Sequence, residues 1–103
     1  MKIKYLSQHQ LEKTIINVLS KYLNLKDYKI FFFGSRVEGK GSERSDIDIG
    51  IEGQNAIAAD KWLDIQEEIE NIPTLYTIDV VDFKRTSDNF KKVALKKIEP
   101  ILP

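Results

Sequence analysis

Apolar residues recur with helical spacing in two stretches of the chain. The first stretch covers residues 11–23, with Ser7 as a candidate N-cap before it and Asn24 near its end. The second covers residues 56–72 and is followed by Pro73, which cannot continue a helix. Each stretch has one apolar stripe and one polar face, so each predicts an amphipathic helix that packs against a core.

Three other stretches have the pattern of β-strands. Residues 28–33 are aromatic and almost continuously apolar, as in a central strand that is covered on both faces. Residues 46–52 alternate strictly between polar and apolar positions, which predicts a strand with one buried face. Residues 75–83 are rich in β-branched and aromatic side chains and predict a third strand.

A final helix is predicted near the end of the chain. Thr86, Ser87 and Asp88 offer N-caps, and the residues after them have helical spacing. Apolar residues of this helix are expected to face the core, and lysines are expected to face solvent. The inward set is Phe90, Val93, Ala94 and Ile98, and the outward set is Lys91, Lys92, Lys96 and Lys97.

The elements therefore follow in the order α, β, turn, β, α, β, α. This order predicts an α/β (α+β) fold, a two-layer sandwich in which a small mixed sheet of three strands, or slightly more, carries helices on one face. The other face of the sheet is expected to be open to solvent or to a partner.

The length and composition fit one domain over residues 1–103. With 103 residues and 11.9 kDa, the chain is large enough for one core and too small for two. It has no cysteine, which excludes disulfides and cysteine-based zinc sites. No apolar run approaches the ~18 residues of a membrane span, and the N-terminus has no signal-peptide core. We therefore expect a cytoplasmic protein without a membrane partner.

The charges balance overall but are segregated along the chain. Residues 1–37 carry seven positive and two negative side chains, residues 38–82 carry three and twelve, and residues 83–103 carry six and two. Binding to a long duplex nucleic acid favours a basic protein, so this partner is disfavoured, although a basic patch on one face stays open. Partners respond to local rather than total charge, so each segment has to be considered separately.

The pair Asp46 and Asp48 is the sharpest chemical feature. Residues two apart on a strand project from the same face, with Cα atoms roughly 6.5 Å apart. Carboxylates at that spacing can hold divalent cations, Mg²⁺ or Mn²⁺, as in phosphoryl and nucleotidyl transfer. Asp79 on the next predicted strand faces away from Ile78 and Val80 and can join them. The alternative is an exposed polar strand face, yet aspartate is depleted in strands.

A glycine-containing turn follows the first predicted strand. Gly34 and Ser35 stand where backbone N–H groups and a hydroxyl can bind phosphate oxygens, and Arg36 can neutralise phosphate charge. An ordinary surface turn is the alternative for Gly34 and Ser35, and a solvated surface charge is the alternative for Arg36. Together with the Asp pair, the turn favours a nucleotide site.

The combined motif resembles the signature of the DNA polymerase β nucleotidyltransferase superfamily. A Gly-Ser pair is followed after ten residues by Asp-x-Asp and, some thirty residues later, by a third aspartate. The resemblance is closest to the minimal nucleotidyltransferase (MNT) branch, whose members have about this length, and it covers roughly residues 10–100. The motifs read here Gly34-Ser35-Arg36, Gly39, Ser45-Asp46-Ile47-Asp48 and Asp79.

The resemblance implies a polymerase β-like nucleotidyltransferase fold and a nucleotide-binding segment. Gly34 and Ser35 would hold the phosphate tail of a nucleoside triphosphate, with Arg36 and Ser45 as further nucleotide-binding residues. ATP is the nucleotide expected from the resemblance.

The resemblance also implies a catalytic metal site. Asp46, Asp48 and Asp79 would bind two Mg²⁺ or Mn²⁺ ions, and Asp79 would help to activate the incoming hydroxyl. Asp82 competes for the third position, but strand alternation places it on the opposite face from Asp79. We therefore expect Asp79 to complete the set.

Members of this branch commonly pair with an all-helical HEPN-domain protein in prokaryotic toxin–antitoxin modules. The resemblance implies transfer of AMP from ATP to a hydroxyl of this partner by an antitoxin. A chain that barely completes the catalytic sheet needs an acceptor that is held by something else, which a partner protein provides. Two alternatives stay open: a non-catalytic antitoxin or regulator that occludes its partner, and a small-molecule nucleotidyltransferase. Homo-oligomer formation is also open.

Overall fold

The computed structural model describes residues 1, 3, 7–39 and 46–103. All of the elements predicted from the sequence are present, and a two-residue strand is added near the end of the chain. Two 3₁₀ turns cover Leu25–Asp27 and Phe83–Arg85. The helices and strands are α1 (Gln8–Ser20), β1 (Lys29–Phe33), α2 (Ser35–Glu38), β2 (Ile47–Glu52), α3 (Ala59–Glu70), β3 (Ile78–Asp82), α4 (Asp88–Ala94) and β4 (Glu99–Pro100).

Local hydrogen bonds define where α1 and α4 begin. The Ser7 side chain accepts a hydrogen bond from the backbone N–H of Gln10 at 3.4 Å. The Ser87 side chain accepts one from the N–H of Phe90 at 3.1 Å. Both serines are therefore N-caps that satisfy amide groups left free in the first turn, as the sequence predicts.

The sheet has four strands in the order β3-β2-β1-β4. Strand β1 is antiparallel to both β2 and β4, whereas β2 and β3 are parallel. Strand β4 was not predicted because two residues are too few for a periodic pattern, and one of them is Pro100. A proline is compatible with this position because β4 is an edge strand. The sheet is mixed and slightly larger than three strands, as expected.

Helices α1 and α3 cover one face of the sheet and form the main core. Inward residues of three strands contribute alternate side chains to it, as strand periodicity requires. The fully buried members include Leu11, Ile15 and Leu19 from α1, Phe32 from β1, Ile47, Ile49 and Ile51 from β2, and Ile65 and Ile69 from α3. This layer confirms the predicted two-layer architecture.

Leu63 lies on the apolar stripe that the spacing of residues 56–72 predicts, but its side chain does not face the core. Its side chain is 66% exposed, whereas Ile65 and Ile69 on the same helix are fully buried. At about 100° per residue, Leu63 falls on the side of α3 opposite Ile65. The helix also begins at Ala59 rather than at residue 56, and Ile57 lies buried just before it.

The second face of the sheet is partly covered rather than wholly open. Phe31 and Phe33 of β1 pack there with Phe83, and the ring centroids of Phe31 and Phe83 are 5.0 Å apart. Helix α4 lies against the same cluster, because the Phe90 ring is 6.1 Å from that of Phe33 and Ala94 also contacts the cluster. The connection from β3 to β4 therefore crosses this face.

Helix α4 is shorter and more exposed than the sequence predicts. It ends at Ala94, and the chain then turns to enter β4. Val93 is 63% exposed and Ile98 37%, so the prediction that these two side chains face the core is wrong, whereas Phe90 packs against the Phe33 ring and is 40% exposed. The predicted helix extends to Ile98, but in the structure the chain after Ala94 turns and pairs with the edge of the sheet as β4.

None of the helices in the described part of the chain has the length and apolar character needed to cross a lipid bilayer.

We expect the substitution Gly50→Ala to destabilise the protein. A Cβ at this position would lie 2.3 Å from Phe31 Cε2 and 2.7 Å from Phe83 Cε1, so the aromatic cluster would have to move. The expected loss is about 1–3 kcal/mol in the free energy of unfolding, measured by urea denaturation. The same substitution in a Phe31→Leu background should cost less, because part of the opposing ring is absent. An equal loss in both backgrounds would contradict this account.

Candidate functional site

Two of the three predicted carboxylates lie side by side on neighbouring strands. The parallel register pairs Asp48 of β2 directly with Asp79 of β3. Paired residues on adjacent strands share one face, and the strands are about 4.8 Å apart. Asp46 is exposed and directly precedes β2. The carboxylates thus gather where β2 and β3 begin, on the face opposite the main core.

The three carboxyl groups interact strongly with one another. Burial, followed by repulsion from Asp79 and Asp46, raises the pKa of Asp48 to about 6. Burial also raises the pKa of Asp79, and a hydrogen bond with the side chain of Asp46 and the charges of Asp46 and Glu70 raise it further. Because each negative charge disfavours the next, the site gains stability from protons or cations.

Asp82 has a structural role instead. Its side chain is almost fully buried on the other face of β3 and accepts hydrogen bonds from the N–H of Ile57 at 2.8 Å and of Lys84 at 3.0 Å. The Arg85 guanidinium lies 3.4 Å from the same carboxylate. Asp82 therefore ties the segment before α3 to the end of β3, as the predicted strand alternation allows.

Gly34 brings the turn after β1 against Asp48. Its φ of +87° lies in the left-handed region that favours glycine. A Cβ at this position would be 2.2 Å from Asp48 Oδ2, so only a glycine backbone can come this close. Ser35 begins the single helical turn α2, which Gly39 ends with a φ of +76°. The predicted Gly-Ser turn is thus adjacent to the carboxylates.

Arg36 is held by an aromatic ring that sequence reasoning missed. Its guanidinium carbon lies 4.7 Å from the centre of the Tyr76 ring, a cation–π distance. Tyr76 is buried and stands two residues before β3, near the position where Asp79 enters the site. The only sequence signal was an aromatic residue at the start of a predicted strand. The predicted residue Ser45 lies outside the described residues.

The donor set suits a hard divalent cation, although it is not a preformed metal centre. Across residues 7–39 and 46–103, no group of three or more His, Cys, Asp and Glu side chains has the arrangement of a ready metal site. A divalent cation at this place would offset the repulsion that helps to raise the pKa of Asp48 and of Asp79. Carboxylate oxygens are the ligands that Mg²⁺ and Mn²⁺ prefer. The chemistry of the residues therefore fits such ions.

Comparisons with known proteins agree with this architecture. The family model described as "Polymerase beta, Nucleotidyltransferase" matches residues 13–102. A protein of Haemophilus influenzae named "Probable protein adenylyltransferase MntA" is 30% identical over 88 residues, which cover 82% of this chain and 74% of the relative.

Solved structures show the same fold at lower identity. A toxin–antitoxin crystal structure with AMP-PNP has a TM-score of 0.68 and 20% identity, and the match covers 88% of this chain and 72% of that one. A tri-AMPylated Shewanella oneidensis HEPN toxin in complex with its MNT antitoxin has a TM-score of 0.68 and 18% identity, with 93% and 72% covered. The polymerase β-like fold predicted from the sequence is confirmed.

We expect the metal-free protein to lose stability as the pH rises from about 4 to about 6. The folded-state pKa of Asp48, about 6, lies above the ordinary value of 3.8, so the folded state binds more protons than the unfolded chain in this window. Urea denaturation in EDTA would measure the trend. Asp48→Asn should flatten the profile, whereas the exposed-site control Asp60→Asn should leave it intact. An unchanged profile in Asp48→Asn would contradict the coupling.

Asp79→Asn and Asp82→Asn should have opposite effects on stability. Asp79→Asn removes repulsion from the site, so at pH 7 in EDTA the free energy of unfolding should stay level or rise. Asp82→Asn weakens one buried hydrogen bond, one partly buried hydrogen bond and an ion pair, so the free energy of unfolding should fall by about 1–3 kcal/mol. Urea denaturation of both variants distinguishes the roles. The reverse order would assign Asp82, not Asp79, to the site.

Proposed function

Because the chain belongs to the polymerase beta nucleotidyltransferase family, we propose that it transfers AMP from ATP to a hydroxyl of a partner protein. The partner would be a HEPN-domain toxin, and this chain its antitoxin. The family placement supports the reaction class, and the name of the Haemophilus relative supports a protein acceptor. The observation that carries the proposal is the gathering of Asp46, Asp48 and Asp79 beside Gly34.

The three carboxylates would form the catalytic set. Asp46, Asp48 and Asp79 would hold two divalent cations, Mg²⁺ or Mn²⁺, which supply activation of the attacking hydroxyl and neutralisation of the leaving pyrophosphate. The hydroxyl oxygen forms a bond to the α-phosphorus, the bond to pyrophosphate breaks, and the hydroxyl proton is lost. The raised pKa of Asp79 suits a group that helps to take this proton.

The turn after β1 would bind the phosphate tail. The missing side chain at Gly34 lets the backbone of the turn lie against the Asp48 carboxylate, so phosphate oxygens bound at the turn would be close to the proposed cations. The hydroxyl of Ser35 and backbone N–H groups at the start of the α2 turn would donate hydrogen bonds. Arg36 would add positive charge, and Ser45 would be a further nucleotide-binding residue. In this assignment, residues 1–103 act as one nucleotidyltransferase domain.

We expect the purified chain, Mg²⁺ and radiolabelled ATP to label a HEPN-domain partner covalently. Asp48→Asn should reduce labelling at least ~10²-fold, because it removes one of the proposed cation ligands. EDTA should abolish labelling, and Asp60→Asn should match the wild type. Gel autoradiography and mass spectrometry would measure the AMP adduct.

The same assay separates the proposal from its alternatives. Unlabelled partner with active components would refute protein AMP transfer. Stoichiometric inhibition of the partner by an Asp46→Asn/Asp48→Asn variant would favour a non-catalytic antitoxin. Turnover with a free acceptor and no partner protein would favour a small-molecule nucleotidyltransferase.

A further inference from the structure

An apolar and basic surface lies on α4 and on the turn that follows it. Its exposed apolar residues are Phe90, Val93, Leu95 and Ile98, and each of these residues is 37–63% exposed. Four lysines accompany them within residues 91–97. We call this surface the α4 patch and define it by Phe90, Lys91, Lys92, Val93, Leu95, Lys96, Lys97 and Ile98.

Within residues 7–39 and 46–103, few contacts hold α4 against the sheet, and much of the α4 patch is exposed. Helix α4 has seven residues and contacts the sheet through the Phe90 ring and Ala94. Val93 is one turn from Phe90 and is 63% exposed, so this apolar row continues outward from the aromatic cluster into solvent. Apolar side chains that are contiguous and exposed beside a packed cluster are typical of an interaction surface.

The lysines of the α4 patch have few opposite charges near them among the residues that the structure describes. In the part of the chain that the structure describes, no carboxylate lies within 4.0 Å of Lys92, Lys96 or Lys97. Residues 83–103 carry six positive and two negative side chains, whereas the preceding segment is strongly acidic. The charge of the patch therefore complements an acidic surface.

The α4 patch lies on the same face of the sheet as the carboxylates. The Phe90 ring contacts that of Phe33, and Phe33 pairs directly with Asp48 in the antiparallel register. Directly paired residues project from the same face. A molecule bound at α4 would therefore lie on the face of the sheet that bears the proposed reaction centre.

The patch fits a protein better than a membrane or a nucleic acid. A helix of seven residues is only about 10 Å long, which gives little depth or area for a bilayer interface. Interfaces with nucleic acids are more polar and more positively charged than protein–protein interfaces, whereas this patch has exposed apolar side chains at its centre. An apolar centre with charged residues around it is the usual anatomy of a protein–protein interface.

We propose that the α4 patch docks an acidic, partly apolar surface of the acceptor protein and so delivers its hydroxyl to the site. The proposal rests on the proposed function for the identity of the acceptor. Phe90 and Val93 would pack against apolar side chains of the acceptor, and Lys92, Lys96 and Lys97 would pair with its carboxylates. The family placement supports the reaction, and the exposed apolar and basic residues of the α4 patch indicate where the acceptor binds.

Two variants test the docking surface, Lys92→Glu/Lys96→Glu and Val93→Asp. Each should raise the KM for the HEPN-domain acceptor by about tenfold or more, because like charges or a buried carboxylate would oppose binding. The KM for ATP should not change. Lys13→Glu/Lys61→Glu makes the same charge change on α1 and α3, and it should behave as the wild type. Lys92→Arg/Lys96→Arg should also retain wild-type behaviour.

Direct binding separates docking from catalysis. In the Asp48→Asn background, calorimetry should show acceptor binding that weakens with added NaCl and that is lost in Lys92→Glu/Lys96→Glu. Binding without AMP transfer by the wild type would refute the proposed function and leave the docking surface intact. Equal acceptor affinity in wild type and both variants, with circular dichroism confirming the fold, would overturn the docking proposal. If these variants lost binding to phosphatidylserine vesicles or to poly(U) RNA rather than to the acceptor, that result would also overturn the docking proposal.

Discussion

The approach of carboxylates on one face of the sheet is the constraint on which the candidate site depends. Parallel pairing of β2 with β3 holds Asp48 beside Asp79, and burial together with the charges of neighbouring carboxylates raises the pKa of each. The opposite faces of these strands bury isoleucines in the main core. A slip of one residue would turn those isoleucines to solvent, so packing of the core maintains an electrostatically unfavourable arrangement.

Two glycines let the rest of the structure adapt to this face. Gly34 leaves room for the Asp48 carboxylate, and Gly50, two residues further along β2, leaves room for the Phe31 and Phe83 rings. The end of the face near Gly34 is thus polar, with a carboxylate close to the backbone, and the end near Gly50 is filled by packed aromatic rings. This division explains how a small protein can hold an acidic site and an anchored crossing helix on one sheet surface.

The crossing helix connects the proposed chemistry with the proposed docking surface. The chain leaves β3, passes over the aromatic cluster as α4, and returns to the opposite edge as β4. Because this connection carries the basic segment of the chain, positive charge stands on the same face as the acidic site. The segregation of charge is visible along the sequence, but only the fold brings the basic segment onto the face that bears the acidic site.

The sequence by itself determined the two-layer architecture and which side of each strand bears Asp46, Asp48, Asp79 and Asp82. These properties follow from local periodicity, because strand side chains alternate with a period of two and helical ones with a period of 3.6. The tertiary structure decided the strand order, the stacking of Arg36 on Tyr76, the capture of Glu99–Pro100 as β4 and the exposure of Val93. Each depends on contacts between residues far apart in the chain, which local patterns do not encode.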